Sequence, residues 1–176
     1  MALTEARILE CPDRDELLDL LSDELQSRLP GGEGNDLDRF LNRTRMIPVG
    51  LRAMAATYQL DVSITLDDFG WHFANWHHRP YCDETLWALR ELEAEEEADL
   101  FARAYALVQP HWDKIGELLD DDFDAFVEWY RDSPLDEALL PLTRRMWELQ
   151  KIHYNLFGHW VSYARKYPHK VCQLPS

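Results

Sequence analysis

The chain has little of several things that would narrow its chemistry. Cysteine occurs three times, at Cys11, Cys82 and Cys172. An odd number at wide spacing builds neither a disulfide framework nor a CxxC-type zinc pattern, so free thiols are expected. No run of about 18 apolar residues is present, and the opening stretch MALTEARILE lacks the apolar segment of a signal peptide; both point to a cytoplasmic protein with no membrane span. The 7 glycines form no phosphate-cradling loop, and there is no GxSxG and no HExxH. These absences predict a protein that is not an enzyme and carries no cofactor. Positive charge is scarce as well: 18 Lys and Arg stand against 33 Asp and Glu, a formal net charge of −15. Such a chain repels nucleic acid and anionic membrane and attracts basic proteins or cations.

What is present is acid, concentrated in one place, and an apolar complement with helical periodicity. Between residues 83 and 137 there are 18 acidic and 4 basic residues, whereas from 138 onward there are 1 and 6. The candidate partner-binding residues are Glu91, Glu93, Glu95, Glu96, Glu97 and Asp99, followed by Asp120, Asp121, Asp122, Asp124 and Glu128. If they are solvated, reversing Glu95, Glu96 and Glu97 to lysine should leave the melting temperature nearly unchanged. Hydrophobic residues make up 46% of the 176 residues, enough for one sizeable core in a single domain spanning 1–176.

Every long apolar pattern has a 3.6-residue period, which predicts an all-α, irregular helical bundle of about seven to nine helices. Asp13 caps a helix carrying Leu17, Leu18, Leu21, Leu25 and Leu29, and Pro30 with Gly31–Gly34 is a flexible joint after it. Asp36 opens a short helix, and Pro48 begins one running to Tyr58. Asp61–Ile64 alternates like a strand but has nothing to pair with, so an extended connector is expected there. Thr65 with Asp68 reads as a helix start, ahead of Leu66, Phe69, Phe73 and Trp76 on one face, and Arg79–Pro80 reads as its end. Asp83 caps the next helix, with Leu86, Leu89 and Leu92; Ala98, Phe101, Ala102, Tyr105 and Val108 continue the period. A break is expected near Pro110 and a cap at Ser133. From Leu142 to Tyr163 an apolar stripe holds over some 24 residues, suggesting a helix through the middle of the bundle or a homodimer seam.

The arrangement Phe69, Phe73, Asn75, then Thr85–Leu86, Ala88–Leu89, a short acidic link and Ala98 to Tyr105 resembles a family of small, acidic bacterial helical proteins that includes a DNA-mimic protein. The resemblance covers about residues 65–108, with Leu66-Asp67-Asp68-Phe69 where that family carries Asn-Gly-Gly-Phe. It implies an α-helical regulator that presents acidic surface to a DNA-binding protein and does not act by catalysis.

Two other chemistries are weighed against this. Asp120, Asp122 and Asp124 match the start of a calcium loop, but Ala125 stands where glycine is needed and Arg131 where glutamate is needed. His72, His77, His78 and His153 lie at no ligand spacing, so no bound metal is expected; with a metal, the chain would read as a helical-bundle enzyme. The seven tryptophans are mainly core, with Trp71 and Trp87 off the main stripes. The partner expected is therefore a basic, DNA-binding protein. The alternative is a basic nuclease toxin neutralised by an immunity or antitoxin protein.

Overall fold

The computed structural model describes residues 3–31 and 36–174. Among these residues there are no strands, and twelve α-helices follow one another through short turns: α1 Glu5–Glu10, α2 Arg14–Arg28, α3 Leu37–Thr44, α4 Val49–Leu66, α5 Phe69–Asn75, α6 Arg79–Glu91, α7 Glu95–Val108, α8 Trp112–Asp121, α9 Phe123–Tyr130, α10 Pro134–His153, α11 Phe157–Lys166 and α12 Pro168–Cys172. A 3₁₀ turn, Gln109–His111, joins α7 to α8 at the expected break. The all-α class holds, and Asp13, Asp36 and Ser133 cap α2, α3 and α10 as their spacing predicts. The joint expected at Gly31–Gly34 falls outside the described residues except for Gly31, which has a φ of 85°.

The middle of the bundle is α4, not the last helix. Eleven of its residues are buried, from Gly50 to Ile64, and α6 packs along it. Its N-terminal half meets Leu17, Leu21, Phe40, Tyr81 and Trp160, while Leu60 and Ile64 join Phe69, Phe73, Phe101, Phe126 and Tyr130 in a second apolar cluster. Asp61–Ile64 lies within the last two turns of α4 rather than in an extended connector. The apparent alternation arises because Asp61 and Ser63 are buried polar groups with partners: Asp61 Oδ1 accepts from Leu156 N at 2.9 Å, and Ser63 Oγ lies 3.1 Å from His72 Nδ1. Buried polar groups of this kind are tolerated only when hydrogen-bonded.

Three boundaries differ from the sequence reading for related reasons. Because α4 continues to Leu66, the cap of α5 is Asp68, which accepts from Trp71 N at 2.9 Å, and not Thr65. Arg79–Pro80 begins α6, with His78 as its cap, because proline suits the first helical turn; Asp83 lies inside the helix. The stripe from Leu142 to Tyr163 spans two helices, since Tyr154 and Asn155 both adopt left-handed φ, at 55° and 58°. One close approach fixes α9 against α5. A Cβ on Gly70 would stand 2.1 Å from the Tyr130 ring, whose hydroxyl donates to Asp68 Oδ2 at 3.3 Å.

Candidate functional site

The acidic third of the chain separates into two groups with different electrostatics. The first follows the corner between α6 and α7. Ala94 N donates to Leu89 O and Glu93 N to Arg90 O, with Glu93 at φ 58°. This is a Schellman closure in which a glutamate occupies the position glycine usually takes. The corner faces the basic C-terminal helices. Lys170 Nζ lies 2.7 Å from Glu91, and the Tyr163 hydroxyl donates to the same carboxylate. Lys166 Nζ lies 2.7 Å from Glu93, and the Tyr167 hydroxyl donates to it at 2.6 Å. Those hydrogen bonds, Lys166's first, hold the Glu93 carboxyl below its ordinary pKa. Arg145 bridges Glu96 and Glu148, at 2.7 Å each. Glu95 and Asp99 are exposed beside these pairs.

Glu97 is different again. It is 3% exposed, so its charge points inward. Its Oε1 lies 2.9 Å from His159 Nε2 and 3.9 Å from His153 Nε2. Burial pushes the carboxyl up, but the hydrogen bond and charge of His159, with His153 behind, outweigh it and hold the pKa below the ordinary value. His159 carries no spacing signal in the sequence. It reaches His153 because the left-handed turn at Tyr154–Asn155 folds α11 back onto the end of α10.

The second group lies on α8 and α9. Asp113, Glu117 and Asp121 recur at steps of four along one side of α8, and Asp124 and Glu128 do the same on α9; all are exposed. Asp122 joins the two helices and caps α9, accepting from Asp124 N at 3.1 Å. Asp113 has a loose contact with Arg79, at 3.8 Å. Among the described residues, no basic side chain is paired with Asp120, Asp121, Asp122, Asp124 or Glu128 within 4.0 Å. Asp120 and Asp121 also sit at the C-terminal end of α8, where the helix dipole favours cations. Asp122 and Asp124 have a folding role at the start of α9, whereas the dipole of α8 disfavours Asp120 and Asp121. Apolar packing holds the pair of helices in place: Trp71 lies against Phe123 and Phe126, at 5.2 and 6.2 Å between ring centroids, and His77 stacks on Trp112 at 4.1 Å.

The remaining sequence candidates have structural partners. His72 is fully buried in the aromatic core, His77 Nε2 lies 2.9 Å from Trp112 O, and His78 caps α6 while meeting Asp38 at 3.2 Å. Trp87 lies under the Arg52 guanidinium at 4.1 Å, and that guanidinium pairs with buried Glu84 at 2.7 Å. Cys11, Cys82 and Cys172 are free, and burial pushes the Cys82 thiol up to about 12. No helix among the described residues is long and apolar enough to cross a membrane.

The model of a family described as DMP19-like protein matches residues 45–165, which span everything from just before α4 almost to the end of α11. That range contains both acidic groups and extends well beyond the 65–108 segment that carries the sequence resemblance. No curated protein and no solved structure matches the chain.

Proposed function

Because this chain belongs to the DMP19-like protein family, we propose that it is a DNA-mimic-like regulator that occupies the basic surface of a DNA-binding protein and works by binding rather than catalysis. The observation that carries this reading is the contrast between the two acidic groups. At the α6–α7 corner Glu91, Glu93 and Glu96 are engaged by the chain's own cations. On α8 and α9, Asp120, Asp121, Asp122, Asp124 and Glu128 stand exposed with no basic side chain within 4.0 Å among the described residues, and Asp120 and Asp121 stand against the dipole of α8. A local arrangement that opposes stability without a compensating contact is a mark of a functional surface.

The spacing supports the same reading. Carboxylates four residues apart on a helix stand about 6 Å apart along its axis. Duplex DNA carries one charge per about 1.7 Å of axis, so one stripe is too sparse and a second helix beside it is required. The carboxylates of α8 and α9, with Asp122 between them, supply two such rows in adjacent helices. Asp120, Asp121, Asp122, Asp124 and Glu128 are therefore the centre of the proposed interface, with Glu95 and Asp99 as a separate exposed contribution. Glu91, Glu93 and Glu96 shape the corner, and Glu97 lies behind it.

The test is to immobilise the full chain, capture basic proteins from the native cell extract, and elute with a salt step or with duplex DNA. A DNA-binding protein that both treatments release supports the proposal. A captured partner indifferent to salt and to DNA refutes it.

A further inference from the structure

We propose that Glu97, His153 and His159 form a binding site for a single divalent transition-metal ion of the zinc class. Each residue offers one ligand atom, and the three atoms lie within 4.8 Å of one another. Glu97 Oε1 is 2.9 Å from His159 Nε2 and 3.9 Å from His153 Nε2. Around a tetrahedral zinc with bonds of about 2.0–2.2 Å, ligand atoms stand about 3.3–3.6 Å apart, so the two carboxylate–imidazole distances need shifts of roughly half an ångström, while the two imidazoles, within 4.8 Å of each other, must close by up to about 1.5 Å through side-chain rotation. Two imidazoles and one carboxylate favour zinc and its first-row neighbours over magnesium and calcium, which prefer all-oxygen shells.

The site is built into the backbone. Tyr154 and Asn155 hold left-handed φ values, and a Cβ on Gly158 would meet His153 O at 1.9 Å, so the corner closes only with glycine there. Buried Asp61 on the central helix accepts from Leu156 N at 2.9 Å and pins the same corner to the core. Glu97 comes from a different helix and is buried, so a carboxylate withdrawn from water meets two histidines fixed by a turn. This pre-organisation is what a metal site requires and what a chance surface pair lacks. The two histidines border a cavity of about 400 Å³ that also meets Ser162, Arg14 and Arg165, leaving a fourth position open to water or a small anion. Both arginines are engaged elsewhere: Arg14 lies over the Tyr154 ring at 3.7 Å, and Arg165 donates to Pro12 O at 2.8 Å. An ion bound here would tie the first turn of α7 to the α10–α11 corner.

The test uses the full chain, stripped with a chelator and titrated calorimetrically with zinc sulfate and, separately, with magnesium chloride at pH 7.5. The expected result is one equivalent of zinc, a higher melting temperature in its presence, and no response to magnesium. His153→Gln and His159→Gln should each weaken zinc binding by more than about tenfold while circular dichroism stays that of the parent. Absence of saturable zinc binding by the parent chain overturns the proposal. So does one equivalent bound as tightly by the double variant, which would place the ion elsewhere and leave Glu97, His153 and His159 a hydrogen-bonded ion pair.

Discussion

Acid should weaken this protein through one residue, His72. The imidazole is 0% exposed, with Nδ1 3.1 Å from Ser63 Oγ and its ring 5.4 and 5.8 Å from Phe73 and Phe101. Burial pushes its pKa from 6.5 down to about 3, outweighing a hydrogen bond with the Gln59 backbone that acts in the opposite direction. A histidine depressed in the folded state takes up its proton first in the unfolded chain. Stability is therefore intact above the unfolded pKa and is lost as pH falls toward the folded one, at up to about 1.4 kcal/mol per pH unit. Between pH 6.5 and 4.5 the loss is roughly 2 kcal/mol. Asp61 and Asp68 act in the opposite sense, because burial raises their pKa values and lets the folded chain hold protons first as pH falls. The comparison is accordingly with His72→Gln, which keeps an amide for Ser63 and removes the titration. Urea unfolding of both proteins, followed by tryptophan fluorescence from pH 7 to 4.5, should show the parent losing roughly 2 kcal/mol relative to the variant. Parallel pH profiles would refute a neutral, buried His72.

Phe73→Ala should cost about 3–5 kcal/mol by urea denaturation, since the ring is fully buried among Phe69, Phe101 and Tyr105. Gly158→Ala should destabilise by more than about 1 kcal/mol, because the new methyl collides with His153 O. Glu97→Lys should lower the melting temperature sharply, since it puts a cation against two histidines in a buried position, whereas Glu95→Lys should leave it unchanged.

Helix starts with a side-chain oxygen at the right spacing, at Asp13, Asp36 and Ser133, can be read directly because the cap satisfies backbone groups within three residues. The end of α4 cannot, because Asp61 and Ser63 are satisfied by Leu156 and His72, partners distant in the chain. The break at Tyr154–Asn155 is hidden for a similar reason: α10 and α11 both bury apolar faces, so the hydrophobic stripe crosses the turn uninterrupted. Charge behaves in the same way. The sequence sums acidic residues but does not pair them, so Glu93, which meets Lys166, and Asp121, which has no basic side chain within 4.0 Å among the described residues, look equivalent along the chain. Glu95, Glu96 and Glu97 look equivalent too, although the first is exposed, the second is bound to Arg145 and the third is buried.

The measurement that bears most directly on the mimic reading is the salt dependence of affinity for a DNA-displaceable partner. It should be made for the parent chain, for a variant with Asp120→Asn, Asp121→Asn, Asp124→Asn and Glu128→Gln, and for a control with Glu91→Gln and Glu93→Gln. Exposed charges are screened over about 8 Å at physiological ionic strength, so the parent's affinity should fall steeply as salt rises. The α8–α9 variant should bind more weakly, mainly through slower association, and with a shallower salt dependence. The control, whose carboxylates already face Lys170 and Lys166, should keep the parent's slope. Equal slopes for the parent and the α8–α9 variant would contradict the account.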